Sequence, residues 1–318
     1  MIRFKDDFSD TARLSHSYNA TTAKRLAQRA ATPTQLSKKV DIVGAAMELL
    51  GDDPKGAGLA TFKQQKAMNL REAIVVQVAH LIRGTRSLFT NPNQFKLYKG
   101  QDSEGFATIG FNLSPSKEAF RFTGRDMCLF ASLGCIASCL KLSGHNALTM
   151  ATIARIARTI LWVKKPTTFL HWAGVEIARH KRWADNKGLR LAIRPNLLSD
   201  DTELAGRIKA MVGAEIPVYD YTAVLSAMTC GDGVHRTFSR KEGRDLETLT
   251  ALRHDKPVAV VFAGDLPMEW NGYPVIDGDV HDLRFKDSHG AVVVGLKVKG
   301  VKTETRQRAI DSGFAVSV

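Results

Sequence analysis

Residues 257–263 read Pro-Val-Ala-Val-Val-Phe-Ala, an apolar run with no polar interruption. A strand with that pattern is covered on both faces, which happens where helices flank a parallel sheet. The neighbouring pattern agrees. Leu189–Arg194 and Ile216–Tyr221 read as strands separated by a helix at 202–212. Val234–Ser239 reads as a third strand, followed by a helix at 245–254. Strand–helix alternation predicts an α/β fold with a mainly parallel sheet, either a partial TIM-like (β/α) barrel or a curled open sheet. Ala107–Leu113 reads as an earlier strand. Beyond Gly264 the pattern turns to hairpins, with strands at Tyr273–Ile276, Leu283–Phe285 and Ala291–Lys297.

The region before residue 100 reads as helical and basic. Helices are expected at Thr22–Ala31, Gln35–Leu50 and Phe62–Ile82. In the second, Leu36, Val40, Val43, Met47 and Leu50 fall at helical spacing. Two further helices, 147–163 and 166–187, follow the first strand. Their arginines, including Arg155 and Arg158, read either as a phosphate-facing surface or as a solvated face. The expected organisation is a basic helical N-terminal region, 1–100, and an α/β domain, 101–318.

The 318 residues carry 45 Lys and Arg against 32 Asp and Glu, a net charge of +13. Such a surface favours nucleic acid as a partner, because neutralised phosphates release counterions. No run approaches the roughly 20 apolar residues that cross a bilayer, so no membrane association is expected. Met1–Asp10 lacks the apolar core of a signal peptide, and a cytoplasmic location is expected. Oligomeric state is not legible. The sequence has no Walker loop, G-x-G-x-x-G, G-x-S-x-G or H-E-x-x-H motif, which removes the readily recognised nucleotide, hydrolase and zinc-protease readings.

Three of the four cysteines, Cys128, Cys135 and Cys139, fall in one short segment. In a reducing compartment such a cluster points to metal or redox chemistry rather than disulfides. Gly134 lets the backbone bend, and a helix starting near Cys135 would set Cys135 and Cys139 one turn apart on one face. Three readings stand open. An iron–sulfur cluster on three thiolates leaves one iron free for a small molecule. A zinc site would recruit His145 as a fourth ligand. Packed thiols need no metal at all.

Functional groups of strand–helix barrels gather at strand C-termini. Arg194, Asn196, Ser199 and Asp200 follow one strand here. Tyr219, Asp220, Tyr221 and Thr222 end the next, and Ser239 and Arg240 the one after. Arg194, Tyr219, Asp220 and Ser239 are the candidate catalytic groups. Asn196, Ser199, Asp200 and Tyr221 are the candidate cofactor contacts. Helix capping is the competing role for Ser199 and Asp200. Asp277, Asp279 and His281 share one face if extended, which suggests a divalent-metal nuclease site; a turn at Gly278 with Asp282 paired to Arg284 is the simpler account.

The cysteine segment resembles the phage gene product eighty-eight family. So do Ser199-Asp200, Val218-Tyr219-Asp220-Tyr221-Thr222, Thr237-Phe238-Ser239-Arg240 and Val275-Ile276-Asp277-Gly278-Asp279. The similarity spans roughly Phe106 to Phe314. That family is in turn similar to radical S-adenosylmethionine enzymes of the spore photoproduct lyase type, which are partial barrels with a three-cysteine cluster. The resemblance implies Cys128, Cys135 and Cys139 as ligands of a 4Fe-4S cluster. It also implies S-adenosylmethionine as a cofactor, a nucleic acid or nucleotide as substrate, and the host cytoplasm as location. The spacing departs from that of the radical enzymes, which have three and then two residues between cysteines. Leu140 stands where the phage family often has tyrosine.

Overall fold

The computed structural model describes residues 41–51, 59–90, 104–142, 144–287, 290–298 and 303–318. The helix expected at Thr22–Ala31 lies outside them. The main elements in chain order begin with α1 (Ile42–Gly51), α2 (Leu70–Ile82), β1 (Phe106–Phe111) and α3 (Leu133–Ala137). Then come α4 (Thr149–Lys164), α5 (Pro166–Asn186), β2 (Arg190–Asn196), α6 (Thr202–Val212), β3 (Tyr219–Thr222) and β4 (His235–Ser239). The chain ends with α7 (Asp245–Arg253), β5 (Val258–Phe262), β6 (Glu269–Trp270), β7 (Tyr273–Asp277), β8 (Val293–Lys297), α8 (Thr303–Asp311) and β9 (Ala315–Val316).

The chain forms two compact units. One takes the described residues of Met1–Leu88 with Lys117–Asp126 and Ala147–Ala173. The other takes Phe89–Ser116, Met127–Asn146 and Gly174–Val318.

The first unit is helical. The long helix expected over Phe62–Ile82 is interrupted: a short helix ends at Gln65 and α2 starts afresh after Asn69. Asn69 accepts the Glu72 N–H, and the Glu72 carboxylate accepts the Asn69 N–H. This reciprocal cap starts a new helix. α2 buries Ala73, Ile74, Val76, Val78 and Leu81, so it is apolar nearly all round, as a helix covered by others must be. Arg155 is neither phosphate-facing nor solvated. It is buried, and its Nε and Nη2 bond the Glu118 carboxylate at 3.0 Å each. Arg158 donates to the Ser87 carbonyl, and Trp162 packs against Phe169.

The second unit carries the sheet. β1 pairs parallel with β2, and a parallel bridge between Ile193 and Val218 leads from β2 towards β3. The order continues β3-β4-β5-β8-β7, all parallel, with β6 antiparallel on the edge. β5 is the central strand, and Val258, Val260 and Phe262 are fully buried in the core under α7. The parallel sheet is as expected. It does not close: among the described residues no pairing joins β1 to β7 or β6, so a curled open sheet describes it and a closed barrel does not.

The C-terminal hairpin expectation holds for β6 and β7 only. β7 and β8 run parallel, and Leu283–Phe285 is not a strand. A 3-10 turn, Arg284–Lys286, stands there instead. Its side chains explain why. Leu283 packs into a cluster with Phe106, Ala192 and Tyr219, and Phe285 meets the rings of Phe106, Tyr219 and His235. Phe106, Tyr219 and His235 are the first residues of β1, β3 and β4. The segment after β7 therefore crosses inside the curl and fills its N-terminal end. Asp282 does not pair with the Arg284 side chain either. It pairs with Arg194, while Arg284 pairs with Asp287 at 3.3 Å.

Candidate functional site

A cavity of about 260 Å³ opens at the C-terminal ends of the parallel strands. Asn196 reaches it from the end of β2, Tyr221 and Thr222 from β3, Ser239 from β4, Val261 from β5, and Leu296 and Lys297 from β8. Strand ends this far apart in the sheet order share one cavity because the sheet curls. The cysteine segment supplies another wall: Cys128, Cys135 and Cys139 all face the same space. All three are partly buried, and none is in a disulfide among the described residues.

The segment is tied down at several points. The Met127 N–H donates to the Ser116 carbonyl, and the Asp200 N–H donates to the Met127 carbonyl at 2.8 Å. Ser132 caps α3, accepting the Cys135 N–H at 3.3 Å. Glu242, just beyond β4, accepts both the Ser132 hydroxyl and the Gly134 N–H. α3 is only five residues long, so Cys139 lies outside it; the expectation that Cys135 and Cys139 share one helical face is not met. Ser138 is the reason. Its hydroxyl donates to the Gly134 carbonyl at 2.6 Å, and its backbone leaves the helical region at φ −103°, ψ 10°. Such local bonding competes with helix continuation.

Burial pushes the Cys128 thiol up to about 12, against the opposing pull of a Ser116 backbone hydrogen bond. Cys139 and Cys135 add to the rise, so the three thiols sense one another. Burial also raises Cys135, opposed by the Lys241 ammonium. Burial thus favours the protonated thiol at Cys128 and Cys135, and a nearby cation would favour the thiolate. Among the described residues no three His, Cys, Asp or Glu side chains are gathered closely enough to hold a metal ion as they stand.

A buried polar network underlies the cavity. Arg194 Nη1 bonds both Asp282 oxygens, at 2.9 and 2.7 Å. The Tyr219 hydroxyl donates to Asp282 at 3.2 Å, and the Arg194 guanidinium lies 4.6 Å from the Tyr221 ring centroid. The Asn196 amide donates to Asp220 at 2.6 Å and accepts the Ser199 hydroxyl at 2.7 Å. Burial, only partly offset by Arg194 and Asn196, lifts the Asp220 carboxyl to about 8. Burial also raises Asp200, against the hydrogen bond that one of its oxygens accepts from the Ala223 N–H.

The structure brings the cysteines, Arg194, Asn196, Ser199, Asp200, Tyr221 and Ser239 to one cavity. Tyr219 and Asp220 do not line it. They lie buried behind it and reach it through Asp282 and Asn196. The cap of α6 is Asp201, which accepts the Glu203 and Leu204 N–H groups, not Ser199 or Asp200. Lys241, Asp282 and Lys297 also line the cavity; of these the sequence pointed only to Asp282, and then as a turn residue rather than a cavity group. Lys241 lies two residues past the end of β4, within reach of the same strand-end rule. Asp282 carries no such signal, because its place depends on the segment that crosses the curl.

Asp277, Asp279 and His281 are engaged in local structure. Asp277 accepts the Asp279 N–H, Asp279 accepts the Lys297 N–H, and His281 Nδ1 accepts the Leu283 N–H.

The profile of the Gene product 88 family matches residues 81–317, most of the chain. The chain belongs to this phage family. The match covers the cysteine segment and every cavity residue named above. No curated protein and no solved structure matches the chain. Among the described residues of this Gene product 88 member, no helix is long and apolar enough to cross a membrane.

Proposed function

We propose that this protein is an iron–sulfur protein whose cluster is held by Cys128, Cys135 and Cys139 and faces the strand-end cavity. The observation that supports this reading is that all three thiols line the one cavity on which the polar strand ends converge. The donor chemistry fits: soft sulfur ligands suit an iron–sulfur cluster. The raised proton affinity of Cys128 and Cys135 means that the cluster's own charge would drive their deprotonation. Binding requires the three side chains to turn towards one another from their present positions. Bound there, a cluster with three protein ligands supplies one iron open to a small molecule and a centre for one-electron transfer. S-adenosylmethionine is the cofactor proposed for that position, and a nucleic acid or nucleotide the substrate. The protein's own groups do the rest. Asn196, Ser199 and Tyr221 shape the polar wall, and Arg194 is held by Asp282 for contact rather than motion. The apolar wall of Ala259, Val261 and Leu296 excludes water.

Anaerobic purification and reconstitution test the reading. Iron and sulfide should bind in stoichiometric amounts with a brown chromophore, and Cys→Ala at any of the three positions should abolish it. A colourless, iron-free product would overturn the proposal.

The charge of +13 favours a second reading: a non-catalytic nucleic-acid-binding protein with structural zinc or packed thiols. It would show salt-dependent binding of nucleic acid, unchanged by Cys→Ala substitution.

A further inference from the structure

We propose that Lys241 and Ser239 form an oxyanion-binding subsite in the cysteine cavity, for a phosphate or carboxylate carried by a small ligand. Lys241 is only 8% exposed and faces the cavity. Its ammonium makes one hydrogen bond, to the Ser239 hydroxyl oxygen at 2.6 Å, and otherwise lies 5.7 Å from the Phe314 ring centroid. An ammonium has three donors. A buried cation without an anionic partner is costly, and structures keep one where a ligand completes it.

The contrast with the other cavity cations is direct. Arg194 pairs with Asp282, Arg240 with Asp245, and Lys297 with Asp265. Among the described residues no carboxylate lies within ion-pair distance of Lys241. Ser239 completes the subsite. Its oxygen accepts from Lys241, so its proton is free to donate, and the two groups can bind the same oxyanion. Ala259, Val261 and Phe314 make the surroundings apolar, which strengthens a charge-assisted hydrogen bond. Asp200 lines the same cavity and feels the Lys241 charge through space, but it lies beyond ion-pair distance and one of its oxygens is taken by the Ala223 N–H.

The subsite needs no metal, so the test uses the full-length, metal-free chain. Inorganic phosphate and acetate are titrated by calorimetry at constant ionic strength. Saturable binding is expected. Lys241→Met should weaken it by about tenfold or more, the size of one charge-assisted hydrogen bond. Ser239→Ala should weaken it less, and Lys241→Arg should retain it. Lys181→Met, which removes an exposed helix charge paired with Asp185, should leave it unchanged. Tighter phosphate identifies a phosphorylated ligand, and tighter acetate a carboxylate. If neither anion binds, or if Lys241→Met binds as the parent does, the subsite does not exist. Should Lys241→Met fail to fold, Ser239→Ala and Lys241→Gln decide, and parent-like binding by both overturns the proposal. Iron content is measured separately. Iron without anion binding sinks only the subsite, and anion binding without iron sinks only the cluster.

Discussion

The Glu242 carboxylate accepts the Gly134 N–H and the Ser132 hydroxyl, tying the chain just past β4 to the start of the cysteine helix. The approach is close. A Cβ on Gly134 would lie 2.1 Å from Ser312 Oγ and 2.8 Å from both Glu242 Oε1 and Phe314 Cβ. Gly134→Ala should therefore cost about 1–3 kcal/mol through overpacking. Glu242→Ala should cost a similar amount by leaving donors unpaired. Both should raise amide exchange at Gly134 and Cys135. Parent-like exchange in either variant would show that this tie does not hold the loop.

Arg194 and Asp282 form a buried pair that a single truncation leaves uncompensated. Arg194→Met or Asp282→Leu alone should each cost about 3–5 kcal/mol, and the double substitution less than the sum. Urea unfolding of the four proteins measures the coupling. Simple additivity would mean that the pair contributes nothing specific.

Asp220 makes stability fall as pH rises. Its carboxyl titrates near 3.8 when unfolded and near 8 when folded, because it is buried. Between those values the folded state holds a proton that the unfolded state has lost, so raising the pH favours unfolding, by at most about 1.4 kcal/mol per pH unit. Asp200, raised by burial, and Asp287, raised by burial to about 6, act in the same direction. Asp220→Asn, which keeps an acceptor for the Asn196 amide, should flatten part of the slope between pH 5 and 8. An unchanged slope would place the titration elsewhere.

Thiol chemistry separates the cysteines. In metal-free protein at pH 8, Cys128 should react slowly with iodoacetamide, because its thiol titrates near 12. Exposed Cys230 should be modified first. Mass spectrometry of the time course checks the order, and rapid alkylation of Cys128 would contradict its burial.

The parts of the fold that sequence made legible are those where burial repeats along the chain. Val258–Phe262 reads as a central parallel strand because every position is apolar. The polar residues ending β2, β3 and β4 announce a shared cavity because parallel strands all finish on the same side. The break before α2 was missed, with one helix expected over Phe62–Ile82, although Asn69 and Glu72 stand at capping-box spacing. What escaped depends on contacts distant in sequence. Leu283 and Phe285 flank Arg284 as they would in a strand, and only Phe106 and Tyr219, far upstream, select the turn. Cys139 looks one helical turn from Cys135, yet the Ser138 hydroxyl ends the helix first. Tyr219 and Asp220 sit beside Tyr221 in β3, and strand alternation alone does not tell which of them sees the cavity.

The crossing of Leu283 and Phe285 inside the curl also governs traffic. Phe285 fills the space between the starts of β1, β3 and β4, so the strand-end cavity is reached from the opposite side, beside the cysteines.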